Sequence, residues 1–154
     1  MTTFRPMRDD ETQAVIALWT ACDLTRPWNP PEADIALARG NPNAEIFVAE
    51  QGGAIIAAFM VGHDAHRAWV YYLAVQPDHR REGWGERAMA AAEDWGRARG
   101  MPKIHLMVRH TNAPVIAFYE KLGYGDAETV VMERWLDEER GAIKRAAKEG
   151  TLLI

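Results

Sequence analysis

Trp69-Val70-Tyr71-Tyr72-Leu73-Ala74-Val75 is followed by Gln76-Pro77-Asp78-His79 and then by Arg80-Arg81-Glu82-Gly83-Trp84-Gly85. Aromatic and β-branched residues crowd the opening run, the composition of a buried strand. Pro77 and Asp78 stop it. Beyond the loop the apolar spacing becomes helical: Trp84, Ala88, Met89, Ala92 and Trp95 fall three or four apart. A strand that enters a helix through such a loop makes an anion site. The first N–H groups of a helix have no internal acceptor, and the helix dipole places partial positive charge there. Gly83 and Gly85 let a bulky anion reach the main chain, and Arg80 and Arg81 add full charges. The expected ligand is a phosphate or pyrophosphate; the plainer alternative is an ordinary strand–turn–helix with solvated arginines. A Walker A loop and a dinucleotide fingerprint are excluded, because neither Gly-Lys-Ser/Thr nor Gly-x-Gly-x-x-Gly occurs here.

The bulk numbers fit one domain. The chain has 154 residues, 48% hydrophobic and 26% charged, enough for a real core. A formal charge of −4 gives no general attraction to nucleic acid or to an anionic membrane. The single cysteine, Cys22, excludes an internal disulfide and a cysteine-rich metal site, and its helical position favours a small buried thiol. With no signal peptide and no apolar run long enough to span a bilayer, the expected location is the cytoplasm.

Outward from the loop, the chain reads as a mixed α/β order of β, α, α, β, β, β, α, β, α, β. Thr2–Arg5 is a short strand. Asp9 caps a helix to Cys22, with Val15, Leu18, Trp19 and Cys22 as its buried stripe. The segment 23–31 carries Pro27, Pro30 and Pro31, which forbid regular structure, along with Arg26 and Trp28. Two roles fit it: a pocket wall in which Arg26 reads a carboxylate or phosphate, or a loop that Trp28 packs onto the domain. A short helix over 32–39 follows. Strands over 45–51 and 54–62 meet at Gly52-Gly53, a hairpin signal. His63, Asp64 and His66 form a polar turn, and with no second ligand cluster no metal is expected. The loop helix runs to Gly100. A strand spans 103–108, Asn112 caps a helix closed by Gly123, and 129–136 reads as a last strand. Residues 137–149 are polar and helix-prone, and Thr151–Ile154 is an apolar end.

The Arg80-x-x-Gly83-x-Gly85 loop, with Leu73-Ala74-Val75 and Pro77 leading in, resembles motif A of the GNAT (GCN5-related) N-acetyltransferases. A second stretch, Asn112 followed by Phe118-Tyr119-Glu120-Lys121-Leu122-Gly123-Tyr124, is similar to another string of that family, in the right order and 27 residues after Gly85. The match covers about residues 2–136, so the expected division is a GNAT domain over 1–136 and a helical tail over 137–154. The Leu24-x-Arg26-Pro27-Trp28-Asn29 string resembles the YpeA-like bacterial acetyltransferases.

The resemblance implies a GNAT fold, a central and mostly antiparallel mixed sheet flanked by helices. It implies acetyl-CoA as co-substrate, an amine as acceptor, no metal, and a possible homodimer. By the same resemblance, the pyrophosphate sits on the main chain of Arg80, Arg81, Glu82, Gly83, Trp84, Gly85 and Glu86. The pantetheine arm lies along Leu73, Ala74 and Val75, with the Val75 amide as oxyanion donor and Asn112 nearby. Tyr119 is the general acid. Arg26, Trp28 and Tyr71 are the candidates for acceptor contact, with Trp19 as a further wall. The family's positions for a general base fall on Trp69, Tyr71 and Met107, none of them a good base. Deprotonation through ordered water is therefore expected, with His66 as the alternative. The leading function is acetyl transfer to a primary amine of a small or amino-acid-like acceptor. The alternatives are a protein or peptide N-acetyltransferase and a non-catalytic acyl-CoA-binding module.

Overall fold

The computed structural model describes residues 3–148 and divides into two compact units, Met1–Leu106 and Met107–Ile154. The first unit is a five-stranded sheet in the order β1-β2-β3-β4-β5. Its strands are β1 (Arg5–Pro6), β2 (Ala44–Gln51), β3 (Ala54–His63), β4 (Ala68–Val75) and β5 (Ile104–Leu106). The first four pair antiparallel and β5 joins β4 in parallel. Gly52 and Gly53 turn the β2–β3 hairpin at φ +60° and +81°, a conformation that glycine adopts without cost.

Three helices belong to this unit: α1 (Thr12–Ala21), α2 (Pro31–Arg39) and α3 (Trp84–Ala98). Successive side chains of a strand point to opposite faces, and two cores follow. Ile46, Val48, Ala58 and Ala74 pack with Val15, Leu18, Trp19 and Ile35 of α1 and α2. Ala49, Ala57 and the partly buried Val75 pack instead with Trp84 at the start of α3. Gly96 lets α3 lie close to β4, since a Cβ there meets the Ala68 Cβ at 3.4 Å.

Several boundaries move. Asp9 does not cap the first helix; Arg8 takes the cap position of a 3₁₀ turn over Asp9–Glu11, and Glu11 accepts the Arg8 amide at 2.7 Å. Arg5 explains the change, because it holds Glu11 at 2.7 Å and Glu50 at 2.9 Å and so anchors that first turn to the sheet. Thr2 and Thr151–Ile154 lie outside the described residues. No helix of the described residues is long and apolar enough to cross a membrane.

The second unit holds α4 (Ala113–Lys121) and α5 (Glu138–Lys148). Asn112 caps α4 through its side chain, accepting from the Val115 amide at 3.4 Å, and Gly123 closes it at φ +97°. The strand expected over 129–136 does not form: these residues carry no regular structure, and Val130, Val131 and Met132 are exposed. β-branched content favours a pleated surface but supplies no partner strand. The end of the segment packs locally instead. Trp135 lies against Gly141 of α5, where an added Cβ would meet the Trp135 Cβ at 2.8 Å, and Glu133 pairs with Lys144 at 2.8 Å.

Candidate active site

The loop between β4 and α3 leaves its main chain open to solvent at the start of the helix. Arg81 and Gly83 both stand at positive φ, +68° and +81°. A Cβ at Gly83 would meet nothing within 4 Å, so the space before the main chain is open. The first internal bond is the Arg87 amide to the Gly83 carbonyl, at 3.1 Å. The amides of Trp84, Gly85 and Glu86 therefore precede the helical ladder and stay available to an acceptor. Arg80 and Arg81 are exposed beside them.

Arg87, which the sequence reading did not single out, braces this loop. Its guanidinium bonds the Glu82 carbonyl at 2.9 Å and the Gly83 carbonyl at 3.3 Å, and stacks 3.6 Å over the Trp84 ring. Glu82 would repel an anion, but it is engaged elsewhere. His79 and Trp84 Nε1 bond its carboxylate at 3.1 and 3.2 Å, and these bonds, that to His79 foremost, hold its pKa below the usual range. The loop thus offers main-chain donors, space and net positive charge, a fit to a diphosphate.

Upstream of the loop, β4 has an open edge. Its pairing with β5 ends at Val70–Leu106, while its pairing with β3 continues to Val75. The Gln76 amide bonds the Ile56 carbonyl at 2.7 Å, so by alternation along the strand the amides of Leu73 and Val75 face away from β3. Cys22 sits at this edge, not deep in the core. Its thiol donates to the Val75 carbonyl at 3.2 Å, and Arg80 Nη2 lies 3.9 Å from the sulfur. Only the register of α1 against β4 brings these residues together; sequence spacing gives no sign of it.

A bulge stands in the middle of β4. The register shifts between Ala58 and Met60 of β3, and opposite that shift Tyr72 adopts φ +56°. That is an unfavourable conformation for an aromatic residue, costing roughly 1–2 kcal/mol. Two contacts hold it. The Tyr72 hydroxyl donates to Asp34 of α2 at 2.5 Å, and its ring stacks on Trp19 at 4.0 Å and 9°. Trp19, proposed from sequence as a pocket wall, is fully buried in this stack.

The three acceptor candidates do not converge. Arg26 lines a shallow groove of about 370 Å³ with Thr20, Thr25 and prolines 27, 30 and 31. Its Nη1 is tied to its own loop, at 2.7 Å to the Thr25 carbonyl and 2.9 Å to the Asp23 carbonyl. Trp28 is 6% exposed and packs inward. Tyr71 lines a different cleft with Asp64 and Trp69. Burial, with the charge of Asp64 second, pushes the Tyr71 phenol up, which makes it a still poorer base.

In the second unit, Tyr119 is partly buried between the Phe118 and Tyr124 rings, at 5.0 and 5.8 Å. Burial pushes its pKa up to about 12, so it stays a proton donor throughout the neutral range. Asn112 and Met107 are exposed.

The chain has known relatives. Residues 12–124 match the acetyltransferase (GNAT) family. The chain is similar to an acetyltransferase of Pectobacterium atrosepticum, 44% identical over 136 residues, covering 88% of this chain and 96% of that one. Among solved structures, its fold is similar to a transcriptional regulator from Bacillus halodurans, with a TM-score of 0.74, 17% identity, and coverage of 88% of this chain and 100% of that one. It is also similar to AAC(6')-Iy in complex with the bisubstrate analogue CoA-S-monomethyl-acetylneamine, with a TM-score of 0.73, 17% identity, and coverage of 88% and 98%.

Proposed function

Since the chain belongs to the GNAT acetyltransferase family, we propose that it transfers acetyl from acetyl-CoA to a primary amine of a small-molecule or amino-acid-like acceptor. The observation that carries the reading is that β4 runs on past the end of its pairing with β5 and leads into the donor-rich loop at the start of α3. Acetyl-CoA supplies the acetyl group as a thioester, which the amine attacks directly.

In this reading the amides from Arg81 to Glu86 hold the diphosphate, with Arg80 and Arg81 adding charge. The main chain of Leu73, Ala74 and Val75 aligns the pantetheine arm, and Asn112 assists it. The Val75 amide donates to the carbonyl oxygen as negative charge builds there, a stabilisation worth about 2.7–4 kcal/mol per donor in acyl-transfer enzymes. Tyr119 donates a proton to the departing sulfur. The proton lost by the amine passes to water, because Trp69, Tyr71 and Met107 are unsuited to accept it. Arg26 and Tyr71 contact the acceptor, and Trp28 supports the Arg26 loop from within. The catalytic domain is taken as 1–136, with 137–154 as a tail.

Titration calorimetry with CoA, followed by acetyl-CoA turnover on a panel of free amines and peptides, tests the reading. We expect CoA affinity that falls at least tenfold when Arg80 and Arg81 are reversed to Glu, and turnover with a free amine. Absence of CoA affinity, or affinity indifferent to that reversal, overturns it. Turnover only with peptides would transfer the assignment to a protein N-acetyltransferase, and binding without any turnover to a non-catalytic module.

A further inference from the structure

The peptide plane between Glu82 and Gly83 lies outside the helical ladder of α3, whose first bond runs from the Arg87 amide to the Gly83 carbonyl. Arg81 at φ +68° and Gly83 at φ +81° flank Glu82, so the chain turns sharply on both sides of it. A plane that precedes glycine turns over readily, because glycine takes φ of either sign at little cost. Turning it over exchanges a donor for an acceptor. In a trans peptide the N–H and C=O point opposite ways. One orientation therefore offers the Gly83 amide to an anion; the other offers the Glu82 carbonyl, which repels it.

One side chain decides between the two. Arg87 Nη2 donates to the Glu82 carbonyl at 2.9 Å, and Arg87 Nε donates to the Gly83 carbonyl at 3.3 Å. The guanidinium is itself anchored. It lies 3.6 Å over the Trp84 ring, and Trp84 is buried and packs with Ala49, Ile56 and Ala57. Glu82 is tethered at its other end, where the carboxylate accepts Trp84 Nε1 at 3.2 Å. With both carbonyls turned to Arg87, the amides of Gly83 and Trp84 point away from it, into the open space before the loop.

We propose that Arg87 is a positioning residue of the diphosphate site, holding the Glu82–Gly83 peptide so that the Gly83 and Trp84 amides face the ligand. The inference rests on the acetyl-transfer reading above. Arg87 acts through the main chain and not as one more positive charge, since two of its nitrogens are engaged with carbonyls and its flat face with the indole. Lysine cannot replace it, because an ammonium lacks both the rigid fork of donors and the flat face.

The test uses the full chain with two substitutions: Arg87→Lys keeps the charge, and Arg87→Met keeps only the apolar stem. Calorimetry measures CoA on each. We expect both variants to bind CoA roughly fivefold or more weakly than the wild type, the loss of about one hydrogen bond, and to resemble each other. Amide NMR spectra at saturating CoA separate positioning from a general loosening of α3. The CoA-induced shifts of the Gly83 and Trp84 amide protons should shrink in Arg87→Lys, while those of Gly85 and Glu86, further into the helix, persist. Arg87 is only partly buried, so both variants keep the fold; a thermal melt checks this. Wild-type affinity in Arg87→Lys makes Arg87 a simple charge or a bystander and overturns the inference. So does equal shrinkage at all four amides, or none at Gly83 and Trp84. A wild-type chain without CoA affinity overturns the acetyl-transfer reading itself, whereas wild-type CoA binding that Arg87→Lys retains in full overturns this inference alone.

Discussion

Replacing Tyr72 by Phe removes one oxygen atom, and the structure says what that atom does. Tyr72 holds the left-handed bulge of β4, from which the strand runs on to Val75. The unfavourable φ of +56° costs roughly 1–2 kcal/mol. Against it stand the stack on Trp19, about 0.5–1.5 kcal/mol, and the charge-assisted bond to Asp34, about 1–2 kcal/mol at a half-buried site. With both contacts the bulge is held. Loss of the bond removes the larger of these two terms, so β4 can relax towards regular register and turn the Val75 amide. We expect Tyr72→Phe to lose about 1–2 kcal/mol in urea unfolding and, beyond that, to lower kcat for acetyl transfer about tenfold while the KM for acetyl-CoA changes little. Asp34→Ala should show the same pair of effects, and the double variant little more than either single one, a coupling of about 1 kcal/mol. Additive losses, or a destabilised Tyr72→Phe with wild-type kcat, would refute the idea that this bond sets the geometry of the strand.

Other outcomes follow from the same structure. Gly83→Ala meets no atom but must keep φ +81°, so we expect a loss of roughly 1–2 kcal/mol, read as a fall in melting temperature or as a 5- to 30-fold weaker CoA affinity in calorimetry. Gly83→Asn should cost less, because Asn tolerates that conformation better. Tyr119→Phe should lower kcat by roughly 100-fold or more with KM for acetyl-CoA nearly unchanged, and the wild-type kcat should show no alkaline fall below pH 10 from a phenol whose pKa is about 12. An acidic limb in the kcat–pH profile that disappears in His66→Ala would replace water with that imidazole as the base. Arg5 holds Glu11 well below the usual carboxylate range, at about 2. A depressed folded-state pKa contributes stability above the unfolded value and loses it on acidification. Unfolding free energy should therefore drop between about pH 4.5 and 2, and Glu11→Gln should flatten that drop.

Much of the molecule was legible along the chain because local rules decide it. Alternation and helical spacing fixed β4 and α3, and the need for φ > 0 fixed Gly52, Gly53 and Gly83. Asn112 was recognisable as a cap because capping is a contact between near neighbours in sequence. The loop proposed to hold a diphosphate belongs to the same class, since a helix start and its flanking glycines need nothing distant.

Tertiary structure alone decided which distant groups meet. Cys22 reached the Val75 carbonyl, Tyr72 reached Asp34, and Asp64 came to share a cleft with Asn41 and Tyr71, while Arg26 lined a separate groove. The fate of 129–136 was also decided there: the same β-branched residues that read as a strand stayed unpaired. The reason is common to all of these. A strand, a clamp or a cleft depends on which residue stands opposite which, and a single bulge at Tyr72 shifts that register for everything beyond it. Such pairings are set by long-range packing against partners that local propensity does not contain.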